Sequence, residues 1–511
     1  MPASPSSSDL EDPSILNSKS QIRTSTENAV LKRKSVRGGA VTMVSQAITI
    51  AIHLISTVVL ARLLSPDDYG VLVMVMAVTG FAGLFRDLGL SSAAIQKKDL
   101  SSAQQSNLFW LNVAVGTLLT VLVAAASPLV AWFYGNPELT VVTLILSLNF
   151  LIGSFGTQHG ARLAREMQFG RQSIATISGA VLSLVVSITF ALHDFSYWSL
   201  VWGYLAGGLT TTLLLFVLSP FRPGLPSKGT ELREMMKFGA QITAFDFVNY
   251  FQRNLDNILI GKFWGPGVLG LYSRAYSLLM LPISSIRGPI NAVAFPALSR
   301  LQNEPEAFRD YYLKTTSLIA LLSMPLAAFL FVCSRPIIEL VLGAQWLGVA
   351  PIFSYLALAA FIQPSSGFAG SLLLSLGQGR RYLSCGLFNT ILLSLCFIIG
   401  VHWGAKGVAI GYAIGNYVVL YPWLFWAFRD SPVCFSMFAK SCAFPTAISF
   451  LGILAVTLGT ELYRFSNPLT HIGFSGLMFA VAITPLFFLT KTGKQNLGLF
   501  RGLYSQLFKK L

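Results

Sequence analysis

From residue 36 to residue 490, apolar stretches about as long as a bilayer is thick alternate with short polar breaks. A spanning helix needs roughly 20 predominantly apolar residues. Fourteen stretches read as spans: 39–61, 69–88, 106–126, 139–157, 173–192, 197–218, 238–260, 267–296, 314–333, 350–376, 382–401, 405–427, 438–459 and 468–490. Apolar residues continue past the ends of the third and ninth, as from Pro128 to Tyr134. Only His402, Trp403 and Gly404 divide the eleventh span from the twelfth. The pattern predicts an all-α polytopic membrane protein.

Two spans break the apolar rule. The seventh carries Asp246, Asn249, Arg253, Asp256 and Asn257, and the eighth carries Arg274 and Arg287. At 100° per residue the five polar positions of the seventh span fall within an arc of about 100°. A lipid-facing Arg or Asp costs roughly 2.5–3.5 kcal/mol at a helix centre, so this face must look into a bundle interior or a wet cavity. Pro282, Pro289 and Pro296 follow at intervals of seven on the eighth span and are expected to kink or end it.

The chain repeats. Displaced by 200 residues, Leu60-Ala-Arg-Leu-Leu-Ser-Pro-Asp-Asp-Tyr-Gly70 falls on Ile260-Gly-Lys-Phe-Trp-Gly-Pro-Gly-Val-Leu-Gly270. Gly203-Tyr-Leu-Ala-Gly207 matches Gly411-Tyr-Ala-Ile-Gly415 at an offset of 208. Each half then holds six helices, and two more follow. An even number per half makes the halves parallel repeats about an axis along the membrane normal. Under the 200 offset the polar face of the seventh helix corresponds to Gln46, Thr49, His53, Ser56 and Thr57 on the first. The reading places these two faces on opposite walls of one central cleft, nearly neutral on one side and charged on the other. His53 is open to two readings, a plain buried polar residue or a proton-coupling group.

Composition sharpens this picture. Charged residues make up 11% of the 511, far below a soluble domain. The net charge of +15 raises the question of nucleic acid, but the basic residues sit in short loops. Of the 36 Lys and Arg, 28 fall on the side of the termini, 5 on the other side and 3 within spans. That asymmetry predicts cytoplasmic termini. Residues 1–35 read as a disordered cytoplasmic tail without a signal-peptide core. Residues 36–220 form the first lobe, 221–236 a cytoplasmic linker and 237–430 the second lobe. Residues 431–490 form the last two helices, and 491–511 an amphipathic stretch on the inner leaflet. The five cysteines show no metal spacing, and no metal or cofactor is expected.

The segment Leu60–Gly70, with Arg86-Asp-Leu-Gly89, Tyr272-Ser-Arg-Ala-Tyr276 and Phe295-Pro-Ala-Leu-Ser-Arg300, resembles the polysaccharide-transporter branch of the multidrug/oligosaccharidyl-lipid/polysaccharide flippases. The likeness covers roughly residues 36–490 and is nearest to Wzx-type exporters for colanic and teichuronic acids. It implies two six-helix lobes in a V around a central cavity, with two peripheral helices. It also implies a bacterial inner-membrane flippase for polyprenyl-diphosphate-linked oligosaccharide, working by alternating access. Partners implied are that glycan lipid, membrane lipid, a polysaccharide polymerase and a chain-length regulator, and no nucleic acid.

On this reading Arg253 and Arg274 hold the diphosphate, with Asn249 and Asn257 beside them. Arg287 joins only if the helix bends at Pro282. A structural ion pair with Asp256 stays open for Arg253, and a headgroup anchor for Arg274. Asp246 and Asp256 either partner the arginines or bind a coupling cation, H+ or Na+. Three other classes compete: a drug or metabolite exporter of the same superfamily, a membrane polymerase or ligase, and a scaffold. No outward loop exceeds about 20 residues and no catalytic or nucleotide-binding pattern is present, which argues against an enzyme. Charge buried on two repeat-related faces argues against a scaffold.

Overall fold

The structure, a computed structural model, describes residues 38–39, 41–97, 100–227, 233–463, 465, 467–490, 493–495 and 498. Side chains at 233–235, 237–249 and 251–252 are outside that description, which leaves Asp246 and Asn249 there. The expected tail over 1–35 and the amphipathic stretch from Leu499 also lie outside the described residues.

Among the described residues there is no strand. The helices are α1 Val41–Leu63, α2 Pro66–Asp87, α3 Leu90–Gln96, α4 Ser102–Ala125, α5 Ser127–Tyr134, α6 Glu138–Arg165, α7 Phe169–Leu192 and α8 Trp198–Leu218. Then come α9 Arg233–Arg300, α10 Pro305–Val332, α11 Ser334–Val341, α12 Val349–Gly367, α13 Ala369–Ser375, α14 Gly379–Gly400, α15 Gly404–Phe428, α16 Phe435–Leu462 and α17 Pro468–Leu489. Twelve stretches are long and apolar enough to cross a membrane, and two of them reverse direction. In α9 the backbone leaves helical geometry at Gly265 (φ 80°, ψ −177°). Tyr272 donates to Asp256 at 2.7 Å. Sixteen residues of unbroken helix would hold them ~24 Å apart, so α9 is a hairpin of two limbs. The second reversal is the 3-10 turn Val401–Trp403 with Gly404 at φ 72°. Counting both reversals gives fourteen passes. The second limb of α9 runs on through Pro282, Pro289 and Pro296 and ends at Arg300, with Gly265 as the one non-helical position in α9.

Local chemistry sets the starts. Ser65 and Asp68 form a reciprocal capping box at α2, and Ser101 and Gln104 form one at α4. Such caps satisfy amides that the helix leaves unpaired, for roughly 0.5–2 kcal/mol each. Between α4 and α6, Gln158 donates to Asn112 at 2.8 Å, and Asn112 donates to the Arg86 carbonyl at 3.3 Å. Both amides are fully buried, so this polar chain ties three helices where lipid could satisfy none of it.

Small residues set the hairpin seams. A Cβ on Gly203 would overlap the Ser187 hydroxyl, and one on Gly207 would meet Ser183. In the second half, a Cβ on Gly411 would meet the Cys396 carbonyl, and Gly400 and Gly407 leave no room for one either. The repeated Gly-Tyr-x-x-Gly segment is thus the close-packed seam of α7 with α8 and of α14 with α15. Small residues are how membrane helices approach closely.

Helices α2, α4 and α6 pack together, as do α6, α7 and α8. The second group is α9, α10, α12, α14 and α15, with α16 against α10 and α17 against α16 and α11. One core joins both groups at one end. It contains Leu60, Tyr69, Met74, Val130 and Leu139 together with Ile260, Tyr272, Ile338, Trp346 and Phe353. At the other end, where α3 still reaches α9, the buried clusters are separate. One holds Leu298, Phe308, Leu372 and Leu424, and the other Leu90, Ala93 and Leu108. Large apolar side chains such as Trp132, Leu129 and Val217 remain exposed on the outside, as a lipid-facing surface requires.

Candidate functional site

The fused end is built by the first repeated motif. Trp346 and Gln345 donate to the Ala61 carbonyl at 2.7 and 2.6 Å. Tyr69 meets Trp346 edge-on at 5.5 Å. A Cβ on Gly70 would overlap the Pro266 carbonyl, and one on Gly270 would overlap the Pro66 carbonyl. The two halves therefore touch through the same pair of positions, each taking the other's role. Arg62 reaches the Leu340 carbonyl at the end of α11 at 3.3 Å. Lys262 reaches the Phe133 carbonyl at the end of α5. Both cations thus sit at helix C-termini, where the macrodipole favours them. The sequence reading pairs Arg62 with Lys262 as matching outer ends. In the structure each instead bonds a short helix of the opposite half.

Arg274 belongs to this junction. Its guanidinium lies over the Tyr69 ring, 3.9 Å from the centroid, and its Nε is buried without a hydrogen-bond partner. It is not among the residues lining the cavity that holds Arg253. That cavity, about 560 Å³, lies inside the second group, among α9, α12, α13, α14 and α15. The structure brings Arg253, Asp256 and Arg287 together on its wall, with Tyr276, Gln363 and Tyr412. The hairpin at Gly265 lets both limbs of α9 contribute, Arg253 from the first and Arg287 from the second.

Asp256 is buried and already engaged. It accepts from Tyr272 at 2.7 Å and from the Asn257 amide at 2.8 Å. Arg253 is exposed to the cavity and has no carboxylate partner among the described residues. Among the described residues Arg287 bonds the Gly367 carbonyl alone, at a long 3.4 Å. Two guanidiniums thus line one cavity with most of their donors unspent. Gln363 donates to the Tyr412 hydroxyl at 2.7 Å and fixes that wall. Asn257 is half-buried and its Oδ1 is unpartnered.

The polar face of α1 is elsewhere. Gln46 and His53 are exposed and Ser56 is half-buried. Thr49 and Thr57 turn their hydroxyls back onto the Ser45 and His53 carbonyls. None of these five lines the cavity of Arg253, because α1 meets the second group at its far end, through Ala61 and Arg62. Among the described residues no His, Cys, Asp and Glu cluster could hold a metal ion. Sequence reasoning missed Gln363, Tyr382 and Tyr412. Tyr276 was visible inside the Tyr272–Tyr276 motif, and Gln363 and Asn416 stand out as amides within otherwise apolar spans.

Comparison with known proteins matches residues 59–351 to a family described as polysaccharide biosynthesis protein. The lipopolysaccharide biosynthesis protein WzxC of Escherichia coli (strain K12) is 27% identical over 391 residues, 75% of this chain and 79% of that protein. The teichuronic acid biosynthesis protein TuaB of Bacillus subtilis (strain 168) is 30% identical over 350 residues, 68% of this chain and 72% of that protein. Among solved structures, the lipid II flippase MurJ in an inward closed conformation superposes with a TM-score of 0.72 at 14% identity, covering 87% of this chain and 98% of that one. An inward-facing multidrug resistance transporter of the MATE family gives 0.62 at 18% identity, covering 77% and 96%.

Proposed function

Because this chain belongs to the polysaccharide biosynthesis protein family, we propose that it is a flippase for polyprenyl-diphosphate-linked oligosaccharide, serving surface polysaccharide synthesis. It sits in a bacterial inner membrane with both termini in the cytoplasm. It moves the glycan by alternating access and performs no covalent chemistry. The observation that carries the reading is the pair of guanidiniums, Arg253 and Arg287, that line one cavity with no carboxylate partner among the described residues. A diphosphate supplies the oxygens that planar guanidinium forks match. The same pair disfavours a cationic drug, which the fold alone would not exclude.

Asp256, on the wall of the same cavity and hydrogen-bonded by Tyr272, is the group we assign to coupling through H+ or Na+. Asn257 lies in the same first limb of α9. The polyprenyl tail stays in lipid while the head group crosses. A polymerase and a chain-length regulator act on the product at the far face.

The test is export in a strain that depends on this chain for its surface polysaccharide. Arg253→Ala and Arg287→Ala should each stop export, with the lipid-linked oligosaccharide accumulating inside and protein levels unchanged. Arg253→Lys should restore only part of it, since Lys keeps the charge and loses the fork. Normal export by both alanine variants would refute the assignment.

A further inference from the structure

We propose that the first lobe carries its own anion-binding alcove, built on Arg86, that seats a carboxylate-bearing sugar of the transported glycan. The proposal rests on the reading of the chain as a glycan-lipid flippase and deepens it by naming a class of glycan.

A second cavity, of about 580 Å³, lies among α2, α3, α6, α7 and α8, with Arg86, Asp87, Asn149, Gln172 and Tyr204 on its wall. Arg86 stands in the last turn of α2. Its Nε is buried without a hydrogen-bond partner, and its guanidinium has no carboxylate partner among the described residues. The neighbouring Asp87 does not supply one. Its carboxylate accepts from the Ser91 amide at 3.1 Å and the Ser91 hydroxyl at 2.8 Å. Leu88 (φ 48°) and Gly89 (φ 66°) make the left-handed turn that brings Ser91 back to it. The Arg86-Asp-Leu-Gly89 motif thus spends its aspartate on the turn and leaves its arginine free. A buried donor without an acceptor is costly, and an incoming anion removes that cost.

The repeat supplies a second, independent observation. Arg287 follows Arg86 by 201 residues and lines the cavity of the second lobe. Each guanidinium packs on a glycine of its own lobe, Arg86 on Gly153 of α6 and Arg287 on Gly367 of α12. One device therefore occurs twice, and the two copies differ in charge. The second lobe's cavity has two guanidiniums, suited to a diphosphate. The first has one, and a dianion there would face the Asp87 carboxylate with a single cation to offset it. One guanidinium matches one planar carboxylate. The remaining wall is neutral and hydrogen-bonding, as sugar hydroxyls require. Asn149 donates to the Tyr204 hydroxyl at 3.3 Å, which leaves the phenol proton to donate onward. Arg86 lies at the inner end of α2, the side from which the glycan enters.

The experiment is ligand-dependent thermal stabilisation of the purified full chain, with glucuronate, glucose, inorganic phosphate and pyrophosphate as probes. Glucuronate should stabilise and glucose should not. Arg86→Gln should weaken the apparent affinity for glucuronate about tenfold, the loss of one charge-assisted pair. Gly153→Ala keeps the charge but puts a methyl 2.7 Å from Arg86 Nη1. It should weaken glucuronate in the same direction with the fold intact, and it decides the matter if Arg86→Gln does not fold. Equal effects of glucose and glucuronate, or a glucuronate response untouched in Gly153→Ala, would overturn the proposal. Stronger Arg86-dependent stabilisation by phosphate than by glucuronate would overturn the sugar assignment. Pyrophosphate, read through Arg253→Ala, reports on the other cavity, so failure of the flippase reading shows up separately.

Discussion

Arg253 and Asp256 lie one turn apart on the same helical limb, yet they do not pair. Asp256 turns to Tyr272 across the hairpin, and Arg253 turns to the cavity. Sequence spacing permits the ion pair, and only the reversal at Gly265 shows why it does not form. A second residue-scale consequence concerns the cysteines. Cys333, Cys385 and Cys442 are buried and Cys396 is half-buried, whereas Cys434 is exposed just before α16. A hydrogen bond with the Ser436 hydroxyl at 3.1 Å, helped by the Met437 amide and Lys440, holds its thiol below the usual range. A lowered thiol pKa means more thiolate at neutral pH and faster alkylation, with the rate falling as pH drops through that value. An impermeant maleimide should therefore modify Cys434 first, and only from the cytoplasmic face under the proposed topology. Labelling from outside intact cells would contradict that topology.

At the scale of helices, the seams carry the tightest constraints. Gly411→Leu would drive a side chain into the Cys396 backbone of α14. Backbone cannot move aside as a flexible side-chain tip can. Overpacking of this kind costs about 1–3 kcal/mol or more, so the variant should lose several degrees of melting temperature or fail to accumulate. Gly473→Leu, with nothing within 4 Å of its Cβ position, is the matched control and should behave as wild type. Equal stability of the two variants would show that the seam is not close-packed. Spans were legible in the sequence because lipid leaves a helix no compromise over 20 residues. The break at 402–404 was legible for the same reason. The separateness of α5 and α11 was not, since Ser127–Tyr134 and Ser334–Val341 are simply more apolar chain until their contacts across the junction are seen. Nor was the place of the charged cavity. Helical phase puts Arg253 on a polar face, but which neighbour that face meets depends on lateral packing. The structure puts α12 and α14 there.

Across the whole molecule, the shared core at one end and the separate clusters at the other describe a transporter closed at one end, the outer end under the proposed topology. Arg62 on α11 and Lys262 on α5 hold that side closed. Crosslinks between cysteines at 62 and 340, and at 133 and 262, made with a reagent about as long as an arginine side chain, should form in the resting protein and block export. Reduction should restore it. Crosslinks that leave transport running would rule out an opening of this junction during the cycle. Charge-assisted hydrogen bonds contribute about 1.5–3 kcal/mol where water is excluded and less where it is not. Replacing Arg62 and Lys262 together by Gln should therefore raise the outward-open population several-fold, read as faster outside labelling of a cysteine placed at Gly265.

The reciprocal contact of Gly70 with Pro266 and of Gly270 with Pro66 has the form of an isologous interface, the kind two identical subunits make about a two-fold axis. A single chain that keeps it behaves as a dimer whose subunits have since diverged. Along the cavity walls that divergence was free to proceed, and the halves now differ in charge. At the junction each half is the other's template. A change at Gly70 must be answered at Pro266, and a change at Pro66 at Gly270. That mutual restraint is a physical reason why the two copies of this loop still resemble each other.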